Sequence, residues 1–79
     1  AGTYPFTFAN GEYAYFLLPD GVSKGKFASA GADGLYHAVE GVSDVPFIKQ
    51  STQASIGSVS YDVFRLANAQ AASSHSITI

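Results

Sequence analysis

A chain of 79 residues without a single cysteine has to fold as one β-prone unit with no disulfide or thiolate-metal prop, although at this size only about 60% of the unfolded chain's surface can be buried. Charge is equally sparse: 13% of residues are charged, the net is −2 and the four basic residues are scattered, which excludes the concentrated basic footprint that nucleic acid binding needs. No apolar run approaches the roughly 20 residues of a membrane-spanning helix.

The first stretch, Tyr4 to Leu18, holds two aromatic and aliphatic runs that meet at Asn10-Gly11, a dipeptide that favours a two-residue type I′ hairpin turn. Closing Ala9 against Glu12 places Phe8 opposite Tyr13, Phe6 opposite Tyr15 and Tyr4 opposite Leu17. That register predicts one shared face of five rings and a leucine. The reverse face would hold Pro5, Thr7, Ala14, Phe16 and Leu18. Pro19-Asp20-Gly21 is a firm turn. Val22 to Ala28 alternates weakly and reads as an edge strand kept from pairing by Lys24 and Lys26.

Small residues from Ser29 to Gly34 predict a loop. Leu35 to Val39 predicts a strand with Leu35, His37 and Val39 on one face and Tyr36 and Ala38 on the other. Val45 to Lys49 carries Pro46, which cannot donate to a ladder and so suits a sheet edge or a strand start. After a polar turn over Gln50 to Ser55, Ser60 to Leu66 sends Tyr61, Val63 and Arg65 one way and Asp62, Phe64 and Leu66 the other. Ala67 to Ser73 could hold a helical turn but is too short for an independent helix. The last strand, Ser74 to Ile79, lines His75, Ile77 and Ile79 along one face. About seven short strands with turn residues between them predict an all-β, antiparallel small sandwich or barrel, with residues 1–79 as a single domain.

Few residues suggest chemistry. His37 and His75 are the only imidazoles and lie far apart in sequence, so zinc would need two further ligands drawn from scattered carboxylates. Gly31-Ala32-Asp33-Gly34 offers calcium one carboxylate where calcium loops space several. Gly57-Ser58 lacks the Gly-x-Ser-x-Gly strand-to-helix context of a hydrolase nucleophile. No catalytic residue, cofactor site or metal site is therefore assigned, and a non-enzymatic protein is expected. Asp33, Tyr36 and His37 are the candidate contacts for a ligand, since tyrosine rings stack while loop carboxylates hydrogen-bond.

A different clue is the absence of charge at the two ends. Thr3 to Phe8 and Ser74 to Ile79 contain no Asp, Glu, Lys or Arg, and from Gln50 onward the formal charges are Asp62 and Arg65 alone. Uncharged terminal strands lack the usual defence against edge pairing. Thr3, Tyr4, Ser76, Ile77, Thr78 and Ile79 are thus candidates for self-association with another copy, with pairing inside one sheet as the alternative. The Ala1-Gly2 start, in place of Met, fits a chain freed of a signal peptide or excised from a longer one.

Pro5-Phe6-Thr7-Phe8, Tyr13-Ala14-Tyr15-Phe16 with Pro19 after it, Tyr61-Asp62-Val63-Phe64-Arg65 and the terminal Ile77-Thr78-Ile79 together resemble the small β domains of tailed-bacteriophage virion appendages, of the tail-fibre or receptor-binding tip type. The resemblance implies a compact β sandwich acting within a multimer, and a structural or adhesive role. It carries over no active-site residue, and the fibrous shaft that usually precedes such a tip has no counterpart here. The expected function is a self-assembling subunit of a virion appendage or extracellular filament, located outside the cell or in the virion. The alternative is a module that adheres to a host surface glycan or receptor.

Overall fold

Seven strands and one short turn of 3₁₀ helix organise the computed structural model, in which residues 1–68 and 73–79 are described. The strands are β1 (Thr3–Phe8), β2 (Tyr15–Pro19), β3 (Tyr36–Glu40), β4 (Ser43–Lys49), β5 (Ala54–Ile56), β6 (Val59–Leu66) and β7 (Ser73–Thr78). All pairings are antiparallel, in the order β1-β7-β3-β4-β6-β2, with β5 on β6 beyond the end of β4. The sheet curls into a half-barrel. Curling brings the inner side chains of the two edge strands together: the Phe16 ring of β2 meets Tyr4 at 5.4 Å and Phe6 at 5.3 Å, both edge to face. The all-β, antiparallel architecture expected from the strand spacing is present.

The expected Tyr4–Leu18 hairpin is not. The turn itself forms, with the Glu12 amide donating to the Ala9 carbonyl at 3.1 Å and the Ala9 amide donating to the Glu12 carboxylate. Its handedness differs from the expected one. Gly11 has φ +82°, while Asn10, like every other non-glycine residue, has negative φ, the pattern of a type II turn where type I′ needs both positive. Turns of type I or II splay the flanking strands because their twist opposes that of a right-handed ribbon. The two hairpins that do close, at Gly41-Val42 and Gly57-Ser58, place glycine first with φ +57° and +61°, as type II′ turns require. So β1 and β2 separate at Asn10-Gly11 and pair with β7 and β6.

Because β1 and β2 are not partners, they need not share a side-chain register. Phe8, Ala14, Phe16 and Leu18 point into the core, with Phe6 packed against it, while Tyr13, Tyr15 and Leu17 stay exposed. The single face of five rings expected from the hairpin register is therefore split between the two sides of the sheet.

The expected strand over Val22–Ala28 is replaced by the 3₁₀ turn Gly25–Phe27, closed by the Phe27 amide on the Lys24 carbonyl at 2.8 Å. An open bowl needs a plug, and the turn supplies one. Phe27 is 1% exposed and its ring touches Phe16, Tyr36, Phe47 and Phe64, stacking on the last at 4.5 Å. Burying a phenylalanine side chain is worth roughly 1.5–3 kcal/mol, more than weak β-alternation can oppose.

Other expectations match the strands closely. On β3 Ala38 is buried and Tyr36 faces Phe27 and Phe64, and on β6 Asp62, Phe64 and Leu66 are buried while Tyr61, Val63 and Arg65 are half-exposed. On β7 Ile77 is buried beside half-buried His75, and Ile79, just past the strand, is buried too. Pro46 lies on an interior strand, not an edge. The Ala67 amide donates to its carbonyl at 2.9 Å, so the donor it lacks is missed only at the last rung, where β6 has ended. The helical turn considered for Ala67–Ser73 falls mostly outside the described residues.

Candidate functional site

Three polar groupings and one apolar face are placed by this fold. The first joins Asp33 and His37, two of the three candidate ligand contacts, to each other, while the Tyr36 ring turns to the opposite, inner side of β3. His37 lies between two carboxylates: Nε2 is 2.8 Å from Asp33 and Nδ1 is 2.8 Å from Asp44. Carboxylates only accept, so both ring nitrogens must donate, and the arrangement suits the imidazolium. The hydrogen bond that His37 donates to Asp33, then the one it donates to Asp44, raises the His37 pKa above its usual value. The His37 hydrogen bond, backed by the Leu35 amide on Asp33 Oδ1 at 3.0 Å, lowers that of Asp33. Asp44 arrives through the β3–β4 register, which sets Val39 opposite Asp44 and His37 opposite Pro46. Asp33 and Asp44 together thus occupy both nitrogens of His37 and clamp the loop before β3 to the sheet.

The second grouping ties the core side of β6 to the 3₁₀ turn. Asp62 is buried; Lys24 reaches its Oδ2 at 2.6 Å, Gln53 donates to its Oδ1 at 2.9 Å and Lys49 stands 3.8 Å away. Hydrogen bonding from Lys24, then from Gln53, lowers the Asp62 pKa, and the same bond raises that of Lys24. A buried carboxylate needs such partners. Lys24 is therefore a structural counter-ion, not the edge guard that alternation suggested.

The third lies at the other end of the bowl, where Glu40 accepts from His75 Nδ1 at 2.8 Å and from the Ser76 amide at 2.8 Å. Those two bonds, the histidine's first, lower the Glu40 pKa. β3 contributes a single paired residue to β7, Val39 opposite Thr78, and the Glu40 side chain takes over the amide beyond that rung.

The candidate self-association residues pair within the chain. Thr3 stands opposite Thr78 with their hydroxyls 2.7 Å apart, Tyr4 is opposite Ile77, and Ser76 is opposite Pro5. Ile79 exchanges backbone bonds with Gly2, its amide donating at 3.0 Å. Ile77 and Ile79 belong to the core.

The face that sequence reasoning assigned elsewhere is the outside of β2. Tyr13, Tyr15 and Leu17 are 43%, 52% and 39% exposed. Register places Tyr15 beside Arg65 and Leu17 beside Val63, with Ile48 next to Arg65 on the far side. Arg65 lies over the Tyr13 ring, its guanidinium carbon 4.8 Å from the centroid. Both parities of Tyr13 to Leu18 are apolar, so alternation could not tell inside from outside. The readable signal was the hydroxyls of Tyr13 and Tyr15, which favour the wetter side over the Ala14, Phe16 and Leu18 side.

Neither a known protein family, nor a curated protein, nor a solved structure matches the chain.

Proposed function

We propose that this chain is a non-enzymatic structural subunit that associates with copies of itself through β-strand edges, in an extracellular filament or virion appendage. The observation that supports this reading is the edge strand β2 and its flank: from Tyr13 to Pro19 there is no formal charge, and three large apolar side chains stand exposed there. Edge strands of monomers are normally blunted by charge, bulges or proline. An uncharged edge with rings beside it suits a surface that is covered in the working assembly. Light scattering of the purified chain over a range of concentrations, with negative-stain microscopy of the same samples, tests the reading. Defined oligomers or filaments are expected; a strictly monomeric chain at high concentration overturns it. Exposed tyrosines also suit a glycan-binding module, and a monomer that binds a glycan array through Tyr13 and Tyr15 would establish that alternative.

A further inference from the structure

Resting on the self-association reading, we infer that β2 is the associating edge and that it pairs antiparallel with β2 of a second copy about a two-fold axis through Phe16. The inference comes from where the main-chain groups of the two edge strands point. In an antiparallel ladder, alternate residues turn both N–H and C=O toward the partner and the residues between them turn both away. On β2, the Leu66 amide donates to the Ala14 carbonyl at 2.8 Å, so Ala14, Phe16 and Leu18 bond to β6. Tyr15 and Leu17 then present two donors and two acceptors outward.

The same reasoning on β1 gives a different edge. The Ile79 amide donates to the Gly2 carbonyl and the Gly2 amide to the Ile79 carbonyl, so Tyr4, Phe6 and Phe8 bond to β7. Thr3, Pro5 and Thr7 face away. Pro5 has no N–H, and it is the middle of the three, so an added strand would lose its central donor. One edge is interrupted by proline at its middle; the other is unbroken from Tyr13 to Leu17 and meets its proline only at the end, Pro19.

A second copy of the chain fits that ladder by shape and charge. Setting Tyr15 opposite the partner's Leu17, and Leu17 opposite the partner's Tyr15, uses every outward group of both strands. It also sets each ring against an aliphatic side chain across the junction, a favourable cross-strand pair. Tyr13 falls opposite the partner's Pro19, the residue at which the ladder ends for want of a donor. The segment has no charge to repel its copy. Each Arg65 lies on β6, one strand behind its own Tyr15, so the two guanidiniums are kept apart by both β2 strands. The contact is isologous, and it closes on itself as a dimer. A filament built from such chains then uses dimers as its unit.

The chain has no cysteine, so disulfide trapping reads the register directly. Tyr15→Cys and Leu17→Cys variants, each checked for the parent's near-ultraviolet circular dichroism, are oxidised separately and as an equimolar mixture. Thr7→Cys on β1 is the control. Covalent dimer is expected to accumulate in the mixture above either variant alone and above the control, and Leu17→Lys is expected to shift the light-scattering mass from dimer to monomer. An oligomeric parent with trapping equal in all samples, or strongest at Thr7, overturns the β2 assignment while the broader self-association reading stands. A parent that is monomeric at millimolar concentration overturns both.

Discussion

β1 and β2 are both edge strands, both free of charge and nearly adjacent in the chain, yet the sheet treats them differently. β1 turns Thr3, Pro5 and Thr7 outward and carries a proline in the middle of its free side. β2 turns Tyr15 and Leu17 outward, as does Tyr13 just before it, with donors intact up to Pro19 at its end. On the proposal that β2 is the associating edge, lack of charge does not by itself make an edge sticky: what counts is which main-chain groups face out and whether they are complete. One imino acid can protect a strand as well as a lysine does.

The largest test of this contrast lies within β2. Phe16 touches Tyr4 and Phe6 of β1 as well as Phe27 and Phe47, so it joins the two edges through the core. Phe16→Ala is expected to cost about 3–5 kcal/mol in denaturant unfolding. Leu17→Ala, one residue along and outside, is expected to stay within about 0.5 kcal/mol at concentrations where the chain is monomeric. Equal losses would show that β2 has no distinct inner and outer face.

Pro5→Thr erases the asymmetry from the other side. It frees the unfolded chain at a cost of about 0.4–1 kcal/mol and restores the central outward donor of β1. Light scattering is expected to show assemblies larger than those of the parent; an unchanged mass would mean that Pro5 does not guard that edge. Tyr13→Ala removes the ring under Arg65 and is expected to cost about 0.5–1 kcal/mol, the scale of an exposed cation–π contact, read by the same unfolding measurement.

The smallest effect is a pH dependence of the His37 clamp, since exposed ion pairs contribute little. The raised His37 pKa means that its share of stability is complete below the ordinary value of 6.5 and fades as pH rises through the folded-state value. The lowered Asp33 pKa means that its share is complete above 3.8 and fades as pH falls through the folded-state value. The clamp therefore works best between those two ordinary values. Unfolding curves of parent and His37→Gln are expected to differ most within that window and to converge as pH rises through the raised folded-state value. A difference that grows with rising pH would contradict the imidazolium assignment.

Much of the fold was legible where a strand has one face for the core. Ala38 on β3, Phe64 and Leu66 on β6, and Ile77 on β7 all occupy the side that alternation gave them, because a period-two pattern maps directly onto a half-buried strand. Legibility failed where both parities are apolar, as from Tyr13 to Leu18, or where a residue's destination lay far along the chain, as for Phe27. Of the polar groupings, the Asp33–His37 pair could be suspected from its spacing. Asp44 could not, because it reaches His37 only through the register of the β3–β4 hairpin.

The sequence by itself determined that this chain is a small antiparallel β protein without cysteine chemistry, with uncharged ends and rings enough for a core. Those properties follow from local patterning and composition, which need no knowledge of partners. Tertiary structure alone decided that Asn10-Gly11 splays its strands, that Phe27 fills the bowl, and that the chain ends pair with each other while β2 is left open. Each of those outcomes depends on contacts between residues distant in sequence, and burial across such distances outweighs the preferences of any single turn.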